Sequence, residues 1–188
     1  MSSTAVLDAN VLYSAALRDF LLRLAVAKLF IPFWSNEIQD EWTRNVLKND
    51  PNTTRESLEW TCGQMNAHFP NGLVHGYESL IPTLKLPDLN DRHVLAAAIY
   101  TKANSIVTRN LRHFPKTALL PYGIVSRSPD EFVFGLIQKD WRLVLVTARK
   151  HRASLTRPSK TVDEYLATLE KQQLPQTVAF LREHRDNL

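Results

Sequence analysis

Three carboxylates far apart in the chain are the residues best placed to do chemistry: Asp8, Glu41 and Asp91. Asp8 closes the apolar run in T-A-V-L-D-A-N-V. Read as a buried strand, that run delivers the carboxylate to the strand's carboxyl end, the edge of an open α/β sheet where ligands bind. An ionised carboxylate there needs a metal, another cation or several hydrogen-bond donors to offset its lost hydration. Glu41 lies beside Trp42 and about one helical turn from Ile38, near the inner edge of a helix. Asp91 opens a helix after the loop L-P-D-L-N-D, and Thr108 and Asn110 follow the short apolar run Ser105–Val107. All five residues can converge on one sheet edge.

Carboxylates gathered in one place raise each other's pKa unless a cation neutralises them. Oxygen ligands of this kind suit Mg²⁺ or Mn²⁺, which keep several waters and bind through a few carboxylates plus substrate phosphate. Such an ion polarises a phosphodiester and lowers the pKa of a bound water. The chemistry indicated is hydrolysis of a phosphodiester by that water. Asp8 and Asp91 are the expected direct ligands. Glu41 completes the shell, directly or through water, or assists the water's deprotonation. Taken singly, each residue has a plainer reading: Asp8 and Asp91 as helix N-caps, Glu41 as a solvated helix acid, Asn110 as a turn residue. What makes the set specific is its order: strand-end acid, helical acid, helix-start acid, strand-end polar residue.

The elements that must position these residues are legible in the hydrophobic periodicity. Residues 10–28 have helical spacing, with a break expected near Arg18 and Asp19. Residues 29–34 form a brief strand or extended turn interrupted by Pro32. Ser35 is the expected cap of the helix carrying Ile38, Trp42, Val46 and Leu47, and Thr53 or Thr54 caps the next, with Leu58, Met65 and Phe69 inward. Pro70-Asn71-Gly72 is a turn, residues 73–81 a short strand or irregular segment, and residues 92–102 an Ala-rich helix. Ser105–Val107 and Ile124-Val125 read as further strands. Strands alternating with helices at this spacing predict a parallel sheet. From Ser128-Pro129-Asp130-Glu131, a strong helix start, the chain reads as helical to its end, with a break at Arg157-Pro158-Ser159-Lys160 and a last helix opened by Pro175.

Composition bounds the rest. The 188 residues suffice for one sizeable domain, or one domain and a small appendage. The single cysteine, Cys62, excludes an internal disulfide and a cysteine-rich zinc site. The longest apolar candidate, residues 141–148, is too short to span a bilayer, and M-S-S-T lacks the marks of a secretory leader. The net charge of +4 is unevenly placed. Residues 127–188 carry 11 Lys and Arg against 8 Asp and Glu, including Lys139, Arg142, Arg149, Lys150, Arg152, Arg157 and Lys160 with only Asp140 among them. That stretch suits either a phosphate-binding surface or a solvated helix face.

The blocks V-L-D-A-N-V-L, W-S-N-E-I-Q-D-E-W, L-P-D-L-N-D-R-H-V-L-A-A-A-I and I-V-T-R-N-L-R-H-F-P occur in that order over residues 5–125. Together they resemble a PIN-domain nuclease, and more narrowly the VapC-type toxin branch of bacterial toxin–antitoxin pairs. The resemblance implies a PIN-like three-layer α/β/α domain with a central, mainly parallel sheet over residues 1–127. A small all-helical extension follows over residues 128–188. It implies a Mg²⁺- or Mn²⁺-dependent endoribonuclease acting on RNA in the cytoplasm, a homodimer, with a cognate antitoxin as partner and no membrane association. Carried residue by residue, the first acid is Asp8, the second Glu41 and the third Asp91. Many relatives have a fourth acid at the place of His113 or Asn110, whereas this chain has none between Asp91 and Asp130. Asn110 or Thr108 would then orient the ion's waters, while Arg109, Arg112 and Asn10 are the candidate substrate contacts. Asp40 and Asp88 match the family blocks less well than Glu41 and Asp91.

Of the remaining residues, His93 points away from Asp91 and reads as a surface or packing histidine, and His113 is within reach of substrate. Trp34, Trp42 and Trp60 read as core, and Cys62 as a small buried hydrophobe. Two other functions compete with the nuclease. In a haloacid-dehalogenase-type phosphatase Asp8 would be a nucleophile, but the acid expected two residues on is Asn10. Alternatively, the missing fourth acid fits a catalytically weak or inactive module that binds RNA or a partner without cutting.

Overall fold

The computed structural model describes residues 3–188. Met1 and Ser2, where the M-S-S-T segment begins, lie outside the described residues. Five strands form one sheet: β1 (Ser3–Leu7), β2 (Phe30–Ser35), β3 (Leu73–Val74), β4 (Ser105–Val107) and β5 (Val125–Arg127). Every pairing is parallel, in the order β3-β2-β1-β4-β5. Ala5, Val6 and Leu7 of the central strand are fully buried, as a parallel strand covered on both faces requires.

The topology itself selects one edge for function. From β1 the chain builds outward through β2 and β3, then crosses back to β4 and β5 on the other side. The switch point therefore lies between β1 and β4, where open α/β sheets bind ligands. Leu7 pairs with Val107, and Val107 with Arg127, so the three strands end level. Asp8 and Thr108 are the next residues out, and their backbone N–H groups continue the ladder to Val107 and Arg127 at 3.1 and 3.0 Å.

β2 is a full strand although Pro32 lies in its middle. The Trp34 N–H points outward to the Gly72 carbonyl at 2.9 Å, and Pro32, two residues earlier, faces the same way. β3 pairs only with Trp34 and Ser35, so at Pro32 the outer side has no ladder bond to lose.

The helices follow the predicted caps with two exceptions. α1 (Ala9–Leu12) and α2 (Ala15–Val26) part at Tyr13-Ser14, not near Arg18, because the Ser14 hydroxyl accepts the Leu17 N–H and starts a new helix. α3 (Asn36–Asn49) is capped by Ser35, and α4 (Arg55–His68) by Thr54. α5 (Arg92–Tyr100) packs across β1, β2 and β4, and α6 (Lys116–Leu119) beside β5. α7 (Pro129–Ser154) opens with a full capping box of Ser128 and Glu131. It breaks at Asp140, where the backbone leaves helical geometry and the carboxylate caps the continuation through the Leu143 N–H. α8 (Val162–Lys171) and α9 (Pro175–Glu183) complete the chain.

α2 and α7 pack against each other and cover β2 and β5, with Phe132 edge-on to Phe30 at 4.9 Å. This gives the expected three-layer architecture. Residues 128–188 are helical apart from the turns that join the helices, and they share one continuous apolar core with the sheet. Polar contacts bind them further. The buried Asp130 carboxylate accepts both backbone N–H groups that open α9, from Gln176 and Thr177 at 2.9 Å. Buried His151 of α7 bridges Asp19 of α2 at 3.1 Å and Tyr165 of α8 at 3.0 Å. Among the described residues no helix is long and apolar enough to cross a membrane.

Candidate active site

Asp8 is only 3% exposed. Its carbonyl starts α1 by accepting from Val11 and Leu12, but its side chain makes no capping bond. The carboxylate turns to β4 instead. The Thr108 hydroxyl donates to Asp8 Oδ2 at 2.6 Å, and the Asn10 amide donates to the same oxygen at 2.5 Å. Asn10 also donates to Thr108 Oγ1 at 3.1 Å and accepts the Arg109 N–H at 2.9 Å. Asn10 was a candidate substrate contact. In the structure it holds Asp8 and the end of β4 in register.

Among the described residues, Asp8 has no ion-pair partner. Burial pushes its carboxyl up to about 6, against the pull of the Thr108 hydroxyl; the charges of Asp91 and Glu41 add to the rise. Asp91 is also raised, first by burial and then by Asp88 and Glu41, with His113 opposing. That mutual repulsion identifies Asp8, Glu41 and Asp91 as neighbours in one site.

Asp91 stands at the N-cap position of α5, but its side chain makes no capping bond. Asp88 caps the short 3₁₀ turn Leu89–Asp91, its Oδ1 accepting the Asn90 N–H at 2.9 Å. The Asp91 carboxylate is thereby left for His113, whose Nδ1 lies 2.6 Å from Asp91 Oδ2 and 3.8 Å from Asp88 Oδ2. One helical turn separates Asp88 from Asp91 and aims both at the same imidazole. Asp88, which matches the family blocks less well, is thus brought beside Asp91 and His113, as its D-x-x-D spacing with Asp91 allows.

Glu41 is held by its neighbours on α3, Ile38 and Trp42, both fully buried, while its own side chain stays about one-third exposed. His93 faces α3, away from Asp91 as expected, but it is buried between two acids rather than at the surface. Its Nε2 lies 3.7 Å from Glu41 and its Nδ1 3.6 Å from Glu37.

Other sequence candidates fall elsewhere. Asn110 is exposed and joins the network through its backbone N–H, donated to Thr108 Oγ1 at 3.0 Å. Of the two residues expected to stand in for the missing acid, Thr108 is at the site in person and Asn110 only by its backbone. The Arg109 guanidinium reaches the segment after α8, donating to the Gln172 carbonyl at 3.2 Å and to Gln173 at 3.4 Å. Arg112 is exposed beside His113. Trp34 and Trp42 are core, but Trp60 is 67% exposed. Trp60 lines a groove of about 1030 Å³ between α2, α4, α7 and α8. That groove contains none of the carboxylates above. Cys62 is half-buried, and burial pushes its thiol up to about 11, so it is no nucleophile at neutral pH.

The site thus holds four carboxylates, Asp8, Glu41, Asp88 and Asp91, and among the described residues they pair with His93 and His113 alone. A divalent cation is the group that this excess of buried and half-buried negative charge fits.

A strand-end acid at a parallel-sheet switch point, joined by acids from two helices, is the arrangement of PIN domains. The PIN domain family model matches residues 4–112, more than half of the chain, and the chain belongs to that family. A second model, the VapC50 C-terminal domain, matches residues 129–183, which bears out the VapC-type resemblance and extends it to the helical tail. The chain is 45% identical over 78 residues to a protein of Mycobacterium tuberculosis (strain ATCC 25618 / H37Rv) named "Putative ribonuclease VapC50". The match covers 39% of this chain and 44% of that protein, less than half of the relative's length. No solved structure shows a significant match.

Proposed function

We propose that the chain is a divalent-cation-dependent endoribonuclease, the toxin of a toxin–antitoxin pair. The observation that carries the reading is Asp8: a carboxylate 3% exposed at the sheet's switch point, with two further acids close enough to raise its pKa and no cation paired to it among the described residues. The likeness to a protein named as a ribonuclease supports RNA as substrate.

In this reading Asp8, Asp91 and Glu41 hold Mg²⁺ or Mn²⁺. The cation supplies Lewis acidity and a bound water of lowered pKa. Thr108 and Asn10 fix Asp8 Oδ2 with two donated bonds, so the carboxylate presents a defined face to the site. Glu41, partly exposed, is placed to take the proton of an attacking water and pass it to solvent. Arg112 is the candidate phosphate contact, whereas Arg109 acts by tying the end of β4 to the helical tail. A cognate antitoxin and a homodimer belong to the same proposal.

The test is incubation of the purified chain with total RNA in Mg²⁺, Mn²⁺ or EDTA, with the new ends mapped. Hydrolysis by water leaves no 2′,3′-cyclic phosphate. Cleavage should require the cation and vanish in Asp8→Asn. Cyclic phosphate ends, cleavage in EDTA, or an active Asp8→Asn would each refute the mechanism.

A further inference from the structure

We infer that the helical tail carries a binding surface for single-stranded RNA, apart from the acidic site: an aromatic platform of Trp141, Phe180 and His184 beside Arg142 and Arg149 of α7. The inference rests on the proposed function for RNA as the ligand class, but not on cleavage.

The kink in α7 sets the place. The helix starts after Ser128, beside the carboxyl end of β5, and crosses the sheet until Lys139 Nζ donates to Ser3 Oγ at 2.6 Å, at the amino end of β1. Ser3 and Asp8 are separated by the length of that strand, about 16 Å, so this surface lies at the edge opposite the acids. Beyond the break at Asp140 the helix resumes with Trp141, whose ring is 42% exposed. That ring meets His184, which closes α9, at 5.3 Å and Phe180 at 6.5 Å, and the last two lie 4.4 Å apart. The rings bound a depression of about 660 Å³ between α7 and α9, floored by Phe134 and Ile137 and rimmed by the exposed amides of Gln138 and Gln176.

Exposed rings with side-chain amides at the rim match an unpaired nucleobase: a ring takes its stacked face, and an amide meets its hydrogen-bonding edge. Charge points the same way. From Trp141 to Ser154, α7 carries Arg142, Arg149, Lys150 and Arg152 and no acid. Arg152 turns inward to the Leu188 and Lys160 carbonyls, and Lys150 lines the groove beside Trp60. Arg142 and Arg149 are exposed, and among the described residues neither has an ion-pair partner. The Arg142 guanidinium lies 5.2 Å from the Trp141 ring centre, so cation and ring form one patch. Among the described residues lining the depression Glu183 is the one acid, and nearby Asp140 spends its carboxylate on the Leu143 N–H. Seven residues apart, Arg142 and Arg149 share a helix face at about 10 Å along its axis. A stacked strand rises about 3.4 Å per nucleotide, so the two cations suit phosphates three nucleotides apart, with a base on Trp141. An acidic peptide would satisfy the cations but leave the ring faces and the amide rim without a counterpart.

The test uses the full chain carrying Asp8→Asn, so that RNA is held and not cut, with a labelled oligoadenylate followed by fluorescence anisotropy. Replacing both arginines, Arg142→Gln with Arg149→Gln, should flatten the slope of log affinity against log salt by about 1.4, at about 0.7 per phosphate on a single strand. Trp141→Leu should weaken binding about fivefold or more, the loss of one stacked base, whereas Trp141→Phe keeps a ring and should retain most of the affinity. In the chain with Asp8 intact, the same changes should raise KM for RNA cleavage and leave kcat unchanged, because the acids stand at the other edge. An unchanged salt slope, equal affinities of the Phe and Leu variants, or displacement of the RNA by polyglutamate as readily as by oligoadenylate (which would assign the surface to an acidic protein) each overturns the inference. RNA binding that depends on Trp141, without cleavage in Mg²⁺ or Mn²⁺, supports the tail surface and refutes the nuclease; cleavage with binding indifferent to Trp141 and the two arginines does the reverse.

Discussion

Replacing Asp8 with Asn should make the metal-free protein more stable while removing its cation response. Burial raises the Asp8 carboxyl to about 6, from an ordinary 3.8. The folded chain therefore holds a proton there more tightly than the unfolded chain does. Stability is then highest below the ordinary value and falls as pH rises through the folded value, between about 4 and about 6. A rise of this size corresponds to about 3 kcal/mol of destabilisation once Asp8 is ionised. Asparagine has no charge to bury. Its side-chain oxygen can accept from Thr108 and Asn10 as Oδ2 does, and its amide faces the carboxylates of Asp91 and Glu41.

Urea unfolding in chelator gives the measurement. At pH 7.5, Asp8→Asn should unfold about 1 M later than the unaltered chain, taking a urea slope of about 2–3 kcal/mol/M. At pH 4 the two midpoints should converge. Added Mn²⁺ should reverse the order. At about a hundred times its dissociation constant an ion adds about 2.7 kcal/mol to the protein that binds it, and Asp8→Asn should gain little. A variant less stable than the unaltered chain at pH 7.5 in chelator would refute the reasoning. Asp8 would then be a carboxylate satisfied by the protein itself.

Two further substitutions test the supports of the site. Thr108→Val keeps the shape but removes the hydroxyl donated to Asp8; a hydrogen bond to a charged group is worth about 1.5–3 kcal/mol, so Mn²⁺ affinity at pH 7 should fall by about tenfold or more, as calorimetric titration would show. Asp130→Ala leaves the opening N–H groups of α9 without their buried acceptor. It should cost about 2–4 kcal/mol and speed hydrogen exchange in α9 before the rest of the chain.

Much of this fold is written locally. Ser35, Thr54, Ser128, Thr161 and Pro175 mark helix starts through side-chain or φ preferences that act within a few residues, so sequence alone locates them. Asp8, Glu41 and Asp91 were legible because each sits at a local boundary or beside a buried aromatic. Pro32 was not, because its tolerance depends on how far β3 extends, a fact set some forty residues later. The break at Ser14 was obscured by apolar spacing that runs on through it. Trp60 misled because aromatic content predicts burial only where a neighbouring element covers it, and none does.

Sequence alone turns His93 away from Asp91 and brings His113 to the site; what local reading could not supply is the pair of acids each ring meets. His93 lies two residues from Asp91, yet it faces α3, because two positions along a helix turn a side chain to the other flank. His113 is distant in sequence, yet its ring touches Asp91, because the parallel crossover from α5 to β4 returns the chain to the same edge. Each imidazole thus lies beside a pair of acids: His93 with Glu37 and Glu41, His113 with Asp88 and Asp91. The two pairs share a geometry of carboxylates one helical turn apart with a ring between them, but not an environment. The Glu37 and Glu41 side chains are 49% and 37% exposed, so water can screen them, whereas Asp91 is 16% exposed and charged neighbours act on it at close to full strength. An ion added to this edge therefore acts more strongly on Asp91 than on Glu37 or Glu41.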